Sequence, residues 1–353
     1  QRKLSLGTAR VRFGEPFSLR EALAEAGEGR ARLEKVAFRV MDSINAATPI
    51  SATSLATFAL LGAEERAFTE GEIEEIVTPL LDYIDRRRLP GPDPALLRGL
   101  GLRRTLGELT AAGVLDLYDG GTDPVWSVAA GNHVVAAYYR NGALHHLVNR
   151  AIVELAMLAA SSGELAPVAA VDGDGGDDLL AASQAEALRI RDLLKFEFFF
   201  PPKEPFLHLL GAELDLIAPE WRTVEPSVEW VRATLLQHAG ELMARRTLQP
   251  FFDAQLVVAE QLVSLGEEPA EKEAFLDACL GYGHQLALQG RVKARDSVSK
   301  ELYAAAFELA GNRGLVETGA ADLRSEREAF LAEVVELRSR LALLAAIEEE
   351  AHA

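Results

Sequence analysis

Few side chains in this sequence stand at the separations that catalysis needs. Ser297-Val-Ser-Lys300 has the S-x-x-K spacing of a Ser–Lys nucleophile. The S-D-N and K-T-G segments that complete that chemistry are absent, so Ser297 and Lys300 are expected to cap and decorate a helix N-terminus. His145-His146 is the one adjacent histidine pair; no H-E-x-x-H surrounds it, and Cys279 has no second cysteine with which to hold zinc. Gly281-Tyr-Gly283 lacks the third glycine of a dinucleotide loop. The acidic run Asp172–Asp178 has the density of a calcium loop, but Asp177 stands where that loop needs Gly and Ser183 where it needs Glu. No metal or cofactor is therefore expected. There is no G-x-S-x-G elbow, no P-loop and no H-x-x-x-x-D. His208 comes nearest to the last, with Glu213 at the fifth following position.

Three patches could still bind something. Arg86, Arg87, Arg88, Arg98, Arg103 and Arg104 face only Asp93 and Glu108 between residues 86 and 112. They could meet DNA phosphates, an anionic lipid or a substrate phosphate, or simply balance Glu-rich neighbours. Tyr138-Tyr139-Arg140-Asn141 sets two aromatics, a fork-shaped cation and an amide in a row. On a helix these point to different sides, so substrate contact and domain docking both stay open; Arg10 and Arg12 are candidates for the same roles. Between Lys195 and Phe206, the side chains of Phe196, Phe198, Phe199 and Phe200 are either core or, if exposed, a patch for a partner or membrane.

The elements that must position these residues are mostly helical. The exception near the start is Thr8–Pro16, where Val11 and Phe13 alternate with Arg10 and Arg12, the pattern of one β-strand. A strand needs neighbours to pair its N–H and C=O groups, and none follows nearby. With a chain that opens on Gln1, this leads to the expectation that an upstream portion is missing. Ser18-Leu-Arg-Glu21 fits a capping box. Leu33, Val36, Ala37, Val40 and Ile44 mark a helix over about 31–45, and "SLATFALLG" (Ser54 to Gly62) a buried helix ending at a glycine cap. Thr69-Glu-Gly-Glu72 opens the next helix, and another spans about 95–112. Val114–Tyr118 and Val125–Val128 then form a hairpin across Asp119-Gly-Gly-Thr-Asp123. Helix, helix, helix, hairpin is the order of a winged-helix module. A long helix follows from His133, with Asn141-Gly142 as the point where it would break. Phe330, Val334, Leu337, Leu341 and Leu344 form a heptad seam that packs on its own domain or on a second copy.

Composition sets outer bounds. The 353 residues, 25% charged, predict two or three domains with real cores. A net charge of −18, from 36 basic and 54 acidic residues, argues against nucleic acid as a partner. The single cysteine excludes an internal disulfide. No apolar run approaches the ~20 residues that span a bilayer. The expected layout is a terminal strand in 1–20, a helical region over 21–165 with a winged-helix-like module at 50–130, a Gly/Asp linker at 166–178 and a second helical domain over 179–353. The fold class is mainly α.

Five segments carry a resemblance. "INAATPISATSLATFALLGAEERAFT" (Ile44 to Thr69), "AYYRN" (Ala137 to Asn141), "LLKFEFFF" (Leu193 to Phe200), "VRFGEPFSL" (Val11 to Leu19) and "LAGNRGLV" (Leu309 to Val316) resemble, in order, segments of bacterial glycerol-3-phosphate 1-O-acyltransferases that follow the catalytic motifs. The resemblance implies that Arg10–Phe13 is the last strand of an upstream α/β acyltransferase domain. It implies a parent enzyme that moves an acyl group from acyl-CoA or acyl-carrier protein to the sn-1 hydroxyl of glycerol 3-phosphate, giving lysophosphatidic acid in phospholipid synthesis. Peripheral attachment to the inner face of the cell membrane from the cytoplasm is implied too. The family's catalytic H-x-x-x-x-D is not in this chain, so no catalytic residue carries over and the chain alone is expected to be inactive. A non-catalytic winged-helix regulator or helical scaffold is the alternative reading.

Overall fold

The computed structural model describes residues 11–29, 31–62, 66–91, 100–162, 177–224, 227–317 and 322–352. Among them the chain order is α1 (Leu19–Glu25), α2 (Arg32–Ala47), α3 (Ala52–Leu61), β1 (Phe68–Thr69), α4 (Glu70–Arg86), α5 (Leu100–Ala111), β2 (Leu115–Tyr118) and β3 (Val125–Val128). Then come α6 (His133–Ser162), α7 (Asp177–Leu193), α8 (Lys203–Ile217), α9 (Val228–Gln237), α10 (Ala244–Ser264), α11 (Lys272–Leu288), α12 (Lys300–Asn312) and α13 (Leu323–His352). The linker expected at 166–178 lies, up to residue 176, outside the described residues; Asp177 and Asp178 already belong to α7.

Short polar side chains set the boundaries. Ser18 Oγ accepts from Glu21 N–H at 3.3 Å and starts α1. Thr69 and Glu72 form a reciprocal capping box, Glu72 Oε2 accepting from Thr69 N–H at 2.8 Å. Ser299, not Ser297, caps α12, while Ser297 is buried in a short 3-10 turn, Arg295–Ser297. The S-x-x-K pair is thereby split: Lys300 turns outward to Asp277, 2.5 Å away.

The hairpin forms in the expected place, with Leu117 opposite Trp126 and Tyr118 opposite Val125. A third strand completes it: β1 pairs with β3, setting Phe68 opposite Trp126, in the sheet order β1-β3-β2. Helix, short strand, two helices, hairpin is the winged-helix order. Ile73, Val77, Leu102, Leu106, Leu115 and Trp126 are its buried apolar contacts.

The rest of the chain assembles around α10. That helix is buried on nearly every face and packs on α6, α11, α12 and α13. Phe330, Val334, Leu337, Leu341 and Leu344 of α13 are all at most 3% exposed, so the heptad seam closes the chain's own core. Burial of each such side chain contributes ~1.5–3 kcal/mol. The α6 helix runs unbroken through Asn141-Gly142. Gly142 lets α3 approach closely, since a Cβ there would lie 3.2 Å from Ser54 Oγ.

At the N-terminal end apolar side chains lie bare. Residues 11–18 have no regular structure, and no strand among the described residues ladders with them; Val11 and Phe13 are 80% and 89% exposed. The apolar stripe of α2 is also uncovered. Only Val36 is buried, while Leu33 is 72% and Ile44 51% exposed.

Candidate functional site

The run Tyr138–Asn141 is divided by helix geometry. Tyr138 points to solvent and Tyr139 packs partly on the core, their rings edge to face at 5.9 Å. Arg140 turns inward and is 2% exposed, with Nη2 2.8 Å from Asp296 Oδ2. Its Nη2 also lies 3.1 Å from Asn141 Oδ1, which accepts from it. Arg12 is exposed, and Arg10 lies outside the described residues. The phenylalanine run is divided as well. Phe200 and Phe198 pack inward against Phe206 and Phe251, with centroids 5.5 and 5.0 Å apart, so these two are core. Phe196 and Phe199 remain exposed, and Phe199 stacks against Phe38 of α2 at 5.3 Å.

Arginines of the basic patch are engaged locally. Arg103 pairs with Glu70 at 2.6 Å and Arg104 with Glu108 at 2.9 Å; Arg98 lies outside the described residues. His145 and His146 are half-buried with rings 3.9 Å apart. Burial, and then the charge of its neighbour, lowers His145 to about 4. Burial pushes the Cys279 thiol up to about 12, so it is inert as a nucleophile. Among the described residues no group of three His, Cys, Asp or Glu side chains could hold a metal.

A different constellation gathers from four distant segments. The end of α3 brings Gly62, α6 brings Arg140, the first turn of α10 brings Arg245 and Arg246, and the loop before α12 brings Lys293. They line a narrow throat of about 20 Å³ that has four cations and no acid on its walls. A cleft of about 550 Å³ opens on one side, past Arg66, Glu72 and Glu348. Another of about 280 Å³ opens on the other, past Asp116, His133, Arg295 and Asp296.

The throat is held by buried bonds. Asp253 of α10, fully buried, accepts from Lys293 N–H at 2.7 Å and Ala294 N–H at 2.8 Å with Oδ2. Its Oδ1 accepts from Gln249 Nε2 at 2.8 Å and Arg338 Nε at 2.7 Å. Arg246 donates from Nη1 to Glu348 at 3.1 Å. Gly62 is present for space rather than for backbone freedom: its φ is −73°, and a Cβ there would lie 2.3 Å from Arg246 Cγ. The start of α10 is itself capped from α6, where Glu154 accepts from Met243 and Ala244 N–H at 3.0 and 2.8 Å and pairs with Arg150 at 3.0 Å. Full burial nonetheless pushes the Glu154 carboxyl up to about 7.

One sign of this site lies in the sequence itself. Two adjacent arginines in the first turn of a helix oppose the positive end of its dipole, and they need a local anion to offset it. Chemically, the arrangement can hold an anion; the described residues around it present no nucleophile paired with a base.

Residues 1–319 match the family model of the glycerol-3-phosphate acyltransferase C-terminal region. A protein named as an acyltransferase, plsB1, from Mycobacterium bovis is 37% identical over 351 residues, covering 96% of this chain and 54% of the relative. The plsB1 protein of Mycobacterium tuberculosis matches to the same extent, 37% over 351 residues. The chain thus spans about half the length of the curated relatives it matches.

Proposed function

The chain belongs to the glycerol-3-phosphate acyltransferase C-terminal family, and from that premise we propose that it is the helical region covering the acyltransferase domain of a glycerol-3-phosphate 1-O-acyltransferase. The whole enzyme transfers a fatty acyl group from acyl-CoA or acyl-carrier protein to the sn-1 hydroxyl of glycerol 3-phosphate, releasing lysophosphatidic acid. This chain contains no H-x-x-x-x-D and serves as scaffold and cover rather than as the source of the general base. The observation that carries the reading is the bare apolar surface at the N-terminal end. Val11, Phe13, Leu33, Met41 and Ile44 are each at least 41% exposed, and apolar side chains bared in such number in one short stretch of chain normally meet a partner. The acyltransferase domain is the partner that fits a C-terminal region of this family.

A radiolabelled acyl-transfer assay tests this. The purified 353-residue chain should show no turnover, and the full-length parent should turn over. Leu33→Gln with Ile44→Gln should leave the chain's own Tm unchanged, since both side chains face solvent in it, but should lower activity or stability of the parent. Robust turnover by the chain alone, or a parent indifferent to both substitutions, would refute the reading.

Peripheral contact with the inner face of the cytoplasmic membrane belongs to the same proposal. Phe196 and Phe199 are the exposed pair available for it; no single described helix is long and apolar enough to cross a bilayer. Phe196→Ser with Phe199→Ser should reduce co-sedimentation of the parent with anionic vesicles, and unchanged binding would exclude this segment.

A further inference from the structure

The throat between the winged-helix module and α10 has features that structure alone does not require. In a chain of net charge −18, four cations converge on one opening without an acid on its wall. Two of them, Arg245 and Arg246, stand in the first turn of α10, where the helix dipole disfavours positive charge. Arg140 is 2% exposed, and its Nε has no hydrogen-bond partner; Arg246 Nε is likewise buried without one. A buried donor left unpaired is unfavourable by ~1–3 kcal/mol, and buried polar groups are otherwise almost always satisfied. Each guanidinium already holds one carboxylate, Asp296 for Arg140 and Glu348 for Arg246, and each Nε remains as a donor for one further acceptor.

Size narrows the choice. A space of about 20 Å³ holds little more than one small polar group. It excludes an acyl chain or an aromatic ring and admits phosphate oxygens. Planar guanidinium forks match phosphate geometry, and several cations around one centre favour a dianion over a carboxylate. The clefts of about 550 and 280 Å³ on either side leave room for whatever the phosphate is attached to. The walls are preorganised, because Asp253 fixes the backbone of Lys293 and Ala294, and Gly62 leaves Arg246 its place.

We propose that Arg140, Arg245, Arg246 and Lys293 form a binding site for the phosphate group of a phosphorylated ligand, the remainder of which lies in the flanking clefts. Binding at this site requires no acyl transfer by this chain, and its failure would leave the function proposed above untouched.

Titration calorimetry on the 353-residue chain at fixed ionic strength tests it. The probes are inorganic phosphate, pyrophosphate, glycerol 3-phosphate and adenosine 3′,5′-diphosphate. At least one should bind saturably, with a Kd of ~1 mM or tighter, and should raise Tm as its concentration exceeds Kd. Tightest binding by adenosine 3′,5′-diphosphate assigns the site to a nucleotide-borne phosphate; tightest binding by glycerol 3-phosphate assigns it to a small phosphomonoester. Lys293→Gln, an exposed position whose loss does not threaten the fold, and Arg245→Gln should each weaken binding at least ~fivefold. Lys300→Gln, engaged with Asp277, should not. Absence of saturable binding by all four probes up to ~10 mM overturns the proposal. So does wild-type affinity in a folded Lys293→Gln protein. Either failure leaves the family assignment intact.

Discussion

Replacing Asp253 with Asn keeps the side chain's shape and removes its charge, which makes it an incisive perturbation of the throat. The carboxylate accepts four hydrogen bonds, two from the Lys293–Ala294 backbone and two from Gln249 and Arg338. An amide has one acceptor oxygen and must turn its NH₂ toward one of those pairs of donors. Two buried donors then lose their acceptor, at ~1–3 kcal/mol each. Arg338 also loses a charged partner, but its side chain is 18% exposed, so water recovers part of that interaction. The expected loss is ~3–4 kcal/mol, a large fraction of the 5–15 kcal/mol that holds a typical domain. Urea unfolding of the 353-residue chain measures it as a lower midpoint with an unchanged slope. If the loop is the part released, phosphate binding should weaken with it. A loss below ~1 kcal/mol, together with unchanged anion affinity, would refute the claim that Asp253 positions the loop.

Three further outcomes follow from the same geometry. Gly62→Ala places a Cβ 2.3 Å from Arg246 Cγ, so the arginine must shift; anion affinity should fall by calorimetry even though alanine suits the helix end. Leu337→Ala, at a fully buried seam position on α13, should lower stability by ~2–5 kcal/mol without altering the mass seen by light scattering. Burial pushes the Glu197 carboxyl from 4.5 up to about 7, so the folded chain holds that proton more tightly than the unfolded one. The contribution of Glu197 to stability should therefore be fully present below about pH 4.5 and be lost, by ~1–2 kcal/mol, as pH rises through 7; Glu197→Gln should remove that part of the pH dependence in denaturant titrations.

Much of the architecture was legible because local chemistry dictated it. The helix start at Thr69–Glu72, the Asp119–Asp123 turn and the α13 heptad are each decided within a few residues, and each forms as read. The two-residue strand β1 was not legible, since Phe68 becomes a strand only by pairing with Trp126, far along the chain. Periodicity gave α2 its helix but not its surroundings: the same stripe that buries α10 leaves Leu33 and Ile44 in solvent. The throat was the least legible feature. Gly62 reads alone as a helix end and Arg140 as a tyrosine's neighbour; only the packing of α3, α6 and α10 brings them to Arg246 and Lys293.

The packing of α13 against α10 also sets the order in which the molecule can be completed. The partner surface of α10 ends at Ser264, and the seam that covers it closes near Ile347, about 80 residues later. At ~5–20 residues per second of synthesis, the greasy side of the central rod waits ~4–16 s for its lid. A nascent chain therefore carries its stickiest surface bare through that delay, and chaperone dependence during translation should hinge on that last stretch.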